Sequence, residues 1–323
     1  MKFLTLSGLT KQDKFNITQI LVILPFVLLC IPTSFNRRAE YHSDTIPNPM
    51  NLLWAIIPFA VVYALRVIFV ENLFPKFGDK FIYYKPGWGP GVRKFRVKRF
   101  ALVLFKGIYF WISAPLGILL FKHEDWMPKG LFGVGKQDLE LLWDGYPFQE
   151  QSPMLFVYYC WELGYHTHSL VFHMQSEKRN DYFENLLHHL ATIFLIVLSY
   201  CNNCLRIGAL VLVLHDIVDA IMYLSKSVND MPNQVPVYCG FFFIAYSFLR
   251  FRLITLGFDI IPAAINARNY IPEGATGQYV HWLLVGLLCV LWVLHAYWFY
   301  LIIEIIHNAI KNKGKLQDPH AVG

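Results

Sequence analysis

The feature that most constrains this chain is a series of apolar runs, each about as long as a bilayer is thick. Eight such runs are visible, at 17–33, 52–70, 101–121, 154–174, 183–201, 205–224, 238–261 and 279–307. A helix needs about 20 predominantly apolar residues to cross the hydrocarbon core. Inside lipid a single span must satisfy its backbone hydrogen bonds within itself, so these runs predict helices. Composition agrees, with 56% hydrophobic and 15% charged residues, against about 25% charged in soluble domains. The expected fold is all-α, a polytopic transmembrane helix bundle of about eight spans with no separate soluble domain. The first run starts after 16 residues, contains Pro25 and is followed by no clear small-x-small cleavage site. It reads as a retained helix rather than a secretory signal.

Basic residues set the orientation. Seventeen of the 28 Lys and Arg fall on one side: Lys2, Lys11, Lys14, eight residues of the 71–100 segment, Lys178, Arg179, Lys226, Lys311, Lys313 and Lys315. Six fall on the other, at Arg37, Arg38, Lys122, Lys129, Lys136 and Arg268. Both termini are therefore expected in the cytoplasm. The acidic 122–153 segment is expected to be lumenal and, through Trp126, Leu131, Phe132 and Trp143, to lie on the membrane surface.

The stretch from Lys178 to Lys226 carries the chemistry. Two apolar runs are joined by Cys201-Asn202-Asn203-Cys204, which predicts an antiparallel hairpin. The first run holds His188 and His189, the second His215, Asp216 and Asp219. If the first helix enters at Phe183, His188 lies roughly 8 Å in, at 1.5 Å per residue. Asp219 and Asp216 lie roughly 8–12 Å from the returning end near Leu224. The imidazoles and carboxylates are thus expected at one level, a little inside the cytoplasmic face. Asp216 and Asp219 are three apart and share a helix face. His188 and His189 are about 100° apart around theirs, so both can face only a broad cavity. Ionisable groups at this depth cost several kcal/mol unless paired or wet, which marks the cluster as a functional site. Neutral imidazoles beside carboxylates suit nucleophilic or general-base catalysis.

The elements Lys178-Arg179-x-Asp181-Tyr182, His188-His189, Leu198-Ser199-Tyr200, Arg206-x-Gly208, His215-Asp216-x-x-Asp219 and Lys226 resemble the signature of the ceramide synthases, members of the wider TLC family. The likeness extends to Gly145-Tyr146-Pro147, Trp161-Glu162 and Val293-Leu294-His295-Ala296-Tyr297-Trp298, and covers about residues 93–310. It implies a six-helix TLC core around a cytoplasm-facing lipid cavity, in the endoplasmic reticulum membrane. It divides the chain into a two-span N-terminal region with a basic loop (1–92), a catalytic domain (93–312) and a tail (313–323).

The resemblance further implies transfer of a fatty acyl group from acyl-CoA to the amine of a sphingoid base, forming ceramide or dihydroceramide. His188, His189, Asp216 and Asp219 become the catalytic candidates, with His188 as nucleophile. Arg179, Asp181, His215, Arg252, His295 and Trp298 become substrate-binding candidates. The thioester carries the free energy, so no cofactor is expected and acyl-CoA is the co-substrate. Expected partners are acyl-CoA, a sphingoid base and membrane lipid, with a homodimer or accessory subunit left open. The alternative is a non-catalytic TLC-family lipid sensor or translocation-associated membrane protein, which need not keep both histidines and both aspartates. A di-iron lipid enzyme is disfavoured because Glu184 and Asn185, not a further histidine, precede the His pair; no metal site is expected.

Several features stay open at this stage. The 71–100 segment reads as a cytoplasmic loop ending in Arg93-Lys94-Phe95-Arg96-Val97-Lys98-Arg99. It is either a headgroup-binding belt or a docking surface for the phosphates of coenzyme A. Nucleic acid is disfavoured, since the run abuts a span and no recognition module is visible. In 154–174, Glu162, His166 and His168 are interhelical polar contacts or cavity-lining groups, and His173 is placed to reach the level of His188. Arg250 and Arg252 lie within a span and need partners, with Asp259 and the hairpin aspartates within reach. The family element at Arg252-Leu253-Ile254 usually precedes a proline where this chain has Gly257, so a kink there is in question. Cys201 and Cys204 are either a strained disulfide or two thiols.

Overall fold

The computed structural model describes residues 45–84, 88–89, 91–133, 138–150, 152–176, 181–230, 235–271 and 275–311. Among these residues the chain is helical and contains no β-strand. Seven long helical runs follow one another: α1 (Pro49–Phe81), α2 (Val92–Phe121), α3 (Pro153–Gln175), α4 (Tyr182–Cys201), α5 (Leu205–Ser227), α6 (Val235–Tyr270) and α7 (Ala275–Lys311). Six are long and apolar enough to cross a membrane: α1, α2, α4, α5, α6 and Gly277–Asn308 of α7. The expected run at 17–33 lies outside the described residues. The run at 154–174 does form a helix, α3, but its polar content keeps it out of those six.

The termini of these helices follow from local chemistry. At α1 the Asn48 side chain accepts from the Met50 amide at 3.0 Å, with Pro49 at the first helical position. At α3 Ser152 does the same for Met154, followed by Pro153. Both pairs satisfy a donor that the first helical turn would otherwise leave open. The basic run is not a loop, as the sequence suggested. The connection is shorter: α1 continues to Phe81, and α2 starts at Val92 behind Gly91, whose φ of 93° breaks the chain direction. Lys and Arg are good helix formers, so Arg93–Arg99 forms the first turns of α2.

The chain forms two compact units. The first draws its described residues from Met1–Phe59, Gly145–Gly208 and Arg268–Leu291, the second from Ala60–Asp144, Ala209–Ala267 and Trp292–Gly323.

In the first unit α3 packs on α4, and both pack against the 3-10 turn Pro49–Ala55. Gly164 permits this: a Cβ there would lie 2.7 Å from the Phe59 amide nitrogen and 2.9 Å from the Ala55 carbonyl oxygen. The α4–α5 turn is clamped. Asn203, at φ 58°, donates through Nδ2 to the carbonyls of Pro147 (2.8 Å) and Gln149 (3.1 Å), and Tyr146 Oη donates to the Asn202 carbonyl at 3.1 Å. Asparagine tolerates the left-handed region better than most side chains. Cys201 and Cys204 are thiols rather than a disulfide, with Cys204 Sγ 3.6 Å from Tyr146 Oη.

In the second unit the end of α1 folds against the start of α2. Arg93 binds the Asp79 carboxylate at 2.9 Å, the Asp79 carbonyl at 2.7 Å and the Ile82 carbonyl at 3.0 Å. Arg96 lies 3.7 Å from Asp230. Further along, α2 runs beside α5: Phe110 stacks on Tyr223, and Trp111 Nε1 donates to the Ala220 carbonyl. Of the four apolar residues singled out in the 122–153 segment, Trp126, Leu131 and Trp143 are buried, with Trp143 Nε1 donating to the Ala263 carbonyl, while Phe132 is exposed.

The middle of α6, Phe248–Ile260, is a π-helix. The helix widens where the family element would place a proline, and Gly257 leaves room for the Trp292 indole, which donates from Nε1 to the Leu253 carbonyl at 3.0 Å. Such wide turns concentrate at functional sites. Arg250 donates to Thr255 Oγ1 at 2.6 Å, and both line a small cavity with Asp259 and Leu131.

Candidate active site

Two constellations carry the predicted residues, one in each unit. In the first, His188 and His189 stand side by side on α4, half-buried, with ring centres 5.7 Å apart. A third imidazole joins them from α3: the His173 ring lies 5.3 Å from that of His189. His173 stacks on Tyr182 at 4.5 Å, and its Nε2 is 2.9 Å from the Tyr182 carbonyl. A carbonyl oxygen can only accept, so His173 donates to it from Nε2. Deeper in α3, His166 Nε2 is 3.5 Å from Glu162 Oε2, and His168 packs between Tyr165 and Phe172. Both histidines are buried, and the polar partner of His166 lies on its own helix.

In the second unit the charges are matched across helices. Asp219 on α5 meets Arg252 of the π-helix, Oδ1 to Nη2 at 2.8 Å, and the same Nη2 donates to the His215 carbonyl at 3.2 Å. Arg252 also lies 5.1 Å above the Phe248 ring. Asp216, 1% exposed, accepts from Ser113 Oγ at 2.8 Å. A buried carboxylate needs such donors to stay charged. His215 donates through Nδ1 to the Val211 carbonyl at 2.7 Å, which leaves its Nε2 as the acceptor. Its ring lies 5.0 Å from fully buried His295, which Phe248 and Trp298 flank at 5.7 and 5.9 Å.

The predicted site residues therefore divide. His188, His189 and Asp181 belong to the first unit. Asp216, Asp219, His215, Arg252, His295 and Trp298 belong to the second, where Asp219, Arg252, His215, His295 and Trp298 form one connected group and Asp216 takes Ser113. Asp181 stands just before α4, and its carbonyl accepts from the Asn185 amide and side chain. Arg179 lies outside the described residues. Of the partners proposed for the arginines, Asp219 is the one that meets Arg252, while Arg250 takes Thr255.

Chemically, the first unit offers adjacent imidazoles with a third behind them. The second offers a guanidinium held by a carboxylate and a buried carboxylate held by a hydroxyl. Among the described residues, no group of three or more His, Cys, Asp or Glu has a metal-holding arrangement.

The TLC domain family profile matches residues 99–304, more than half of the chain. The chain belongs to the TLC-domain family. Over 225 residues this TLC-domain protein is 30% identical to ceramide synthase 4 of Homo sapiens, a region covering 68% of this chain and 52% of that one. It is 30% identical over 216 residues to ceramide synthase LOH2 of Arabidopsis thaliana, covering 66% and 70%. It is 26% identical over 290 residues to Alternaria stem canker resistance protein 1 of Solanum lycopersicum, covering 86% and 92%. The chain thus spans about half the length of the human relative.

Several motif positions of the TLC-domain protein are structural. Gly208 faces Tyr159, whose hydroxyl would lie 1.8 Å from a Cβ added there. That hydroxyl also contacts Ser199 Oγ at 3.1 Å and donates to the Leu205 carbonyl at 3.2 Å. Gly208 and Ser199 in the signature thus accommodate one buried tyrosine, and Tyr146 holds the hairpin turn. Sequence reading missed Ser113 and Tyr159. The only available signal was a small hydroxyl and a phenol within otherwise apolar runs, and their partners lie far along the chain.

Proposed function

We propose that this TLC-domain protein is a sphingoid base N-acyltransferase, moving a fatty acyl group from acyl-CoA to the amine and releasing coenzyme A and ceramide or dihydroceramide. The observation that carries the reading is the TLC-domain match over 99–304. That segment contains every catalytic candidate, and its curated relatives include proteins named ceramide synthase.

The roles follow from the chemistry. His188 attacks the thioester carbonyl and carries the acyl group as an acyl-imidazole, while coenzyme A leaves as the thiol. His189 transfers protons. Asp216, fixed by Ser113, orients an imidazole or holds the amine. Asp219 acts through Arg252, because its charge is already engaged there. Arg179, Asp181, His215, His295 and Trp298 contact substrate. The second substrate's ammonium must lose a proton before its nitrogen can attack. The thioester supplies the driving force, so acyl-CoA is a co-substrate and no cofactor takes part.

The protein is assigned to the endoplasmic reticulum membrane with both termini in the cytosol. Protease digestion of sealed microsomes should remove a tag from either end. Lipid mass spectrometry after expression in a ceramide-deficient host, with a panel of acyl-CoA lengths, tests the activity. Ceramide or dihydroceramide is expected with at least one length. Its absence with every length, while the protein is present in the membrane, would refute the proposal.

A further inference from the structure

We propose that Trp292 is a positioning residue: its indole, on α7, sets the register of the π-helix in α6 and so the aim of Arg252 at Asp219. The inference rests on the acyl-transfer reading for the part that Asp219 and Arg252 play in turnover, while the aim itself can be read without activity.

A π-helix closes its turns with i→i+5 hydrogen bonds, one residue wider than those of an α-helix. Reversion to the α-form takes up that extra residue and turns the chain on one side of it by roughly 100°, at 3.6 residues per turn. Arg252 stands inside such a segment, Phe248–Ile260. In the wide form its guanidinium reaches Asp219 at 2.8 Å and the His215 carbonyl at 3.2 Å. A turn of that size would carry it off α5. The pairing of Arg252 therefore depends on what holds the wide form.

Two side chains bind carbonyls on either side of Arg252. Thr255 Oγ1 donates to the Arg250 carbonyl and Trp292 Nε1 to the Leu253 carbonyl, each at 3.0 Å. Thr255 belongs to the segment and moves with it. Trp292 comes from another helix, so its bond fixes the segment against an outside reference. The approach of the indole needs Gly257: a Cβ there would overlap Nε1 and lie 2.8 Å from Cε2. The start of the segment is held by α7 as well, with Phe248 edge-on to His295 at 5.7 Å and stacked on Phe299 at 6.4 Å. Residues 292, 295 and 299 share one face of α7, and His295 is fully buried. That face grips the π-helix before Arg252 at position 248 and after it at position 253. Stacked rings can slide past one another, whereas a hydrogen bond is directional. The indole bond is thus the contact that sets the register.

The test is a double-mutant cycle on the Arg252–Asp219 pair, read as thermal unfolding of the full-length protein in detergent. Asp219→Leu, Arg252→Met and the double variant are made in wild type, in Trp292→Phe, in Gly257→Ala and in Phe258→Leu. Trp292→Phe removes the donor and keeps an aromatic ring. Gly257→Ala keeps Trp292 but blocks its approach, so it breaks the same bond by a second route and decides the outcome should Trp292→Phe fail to fold. Phe258 meets the indole edge-on at 6.4 Å and takes no part in the hydrogen bond, so Phe258→Leu controls for lost packing. In wild type and in Phe258→Leu the double variant should lose much less than the sum of the single losses. In Trp292→Phe and Gly257→Ala the losses should become additive, because the pair no longer meets. A purely structural role for Trp292 would lower every midpoint and leave the non-additivity intact. Non-additivity that survives in folded Trp292→Phe or Gly257→Ala would therefore overturn the proposal, as would additive losses already in wild type. Ceramide turnover by Trp292→Phe should fall roughly tenfold to a hundredfold, and wild-type turnover would contradict the link to catalysis. If the pair uncouples as expected but wild type makes no ceramide, the acyl-transfer reading fails and the aiming of Arg252 stands. If ceramide forms and the coupling survives, the aiming by Trp292 fails alone.

Discussion

Arg252 and Asp219 form a buried ion pair across two helices, Nη2 to Oδ1 at 2.8 Å, with 4% and 14% of their side chains exposed. The widened π-helix brings the guanidinium to α5, where it also reaches the His215 carbonyl. Removing one partner of such a pair strands the other charge, at a cost of about 3–5 kcal/mol. Asp219→Asn and Arg252→Met should each lower the thermal unfolding midpoint in detergent markedly. The double variant Asp219→Leu/Arg252→Met should lose much less than the sum of two single losses. Additive losses would mean that the two groups do not act as a pair.

Gly208 leaves no space for a side chain, because the Tyr159 hydroxyl occupies the position of its missing Cβ. Gly208→Ala should cost about 1–3 kcal/mol by overpacking, read as a loss of thermostability. Adding Tyr159→Phe to Gly208→Ala should recover part of the loss, since the hydroxyl is the clashing atom. An unchanged midpoint in Gly208→Ala would show that this contact gives way freely.

Asn203 tests the hairpin turn. It is buried, lies at positive φ and donates to two carbonyls of the 147–149 segment. Asn203→Ala should cost about 1–3 kcal/mol for the carbonyls left without donors, with the strained backbone adding to it. Asn203→Gly should cost less, since glycine accepts the backbone geometry while losing the same bonds. Equal midpoints for the two variants would mean that the positive φ at position 203 carries no conformational cost.

Ser113 offers a test of how Asp216 is held. Ser113→Ala removes a hydrogen bond to a buried carboxylate, worth about 1.5–3 kcal/mol. Ser113→Thr keeps the hydroxyl and should retain more stability and more turnover than Ser113→Ala. Indistinguishable behaviour of the two would leave Asp216 orientation independent of that hydroxyl.

The apolar runs made the helices legible, and the ionisable residues inside them marked both constellations before any coordinates. Charge need alone pointed Arg252 toward the hairpin aspartates, and His173 was already expected at the depth of His188. What stayed hidden was set by neighbours distant in sequence. Nothing at Asp216 names Ser113, about a hundred residues earlier, and nothing at Gly208 names Tyr159. The first turns of α2 were read as loop because charge density masked the good helix propensity of Lys and Arg. The widened middle of α6 depends on Trp292 meeting Gly257, a contact that no local pattern encodes. Conversely, Gly145-Tyr146-Pro147 was visible as a motif, but only its contacts with Asn202 and Asn203 show that it holds a turn.

The central claim is that His188 carries the acyl group, and peptide-level mass spectrometry reads it directly. Purified protein is incubated with palmitoyl-CoA and no amine, then digested and mapped at neutral pH. One palmitoyl group is expected on His188, discharged when sphinganine is added and absent in His188→Ala. Ceramide formation by His188→Ala at the wild-type rate, or a transferable acyl group on a different residue, would contradict it.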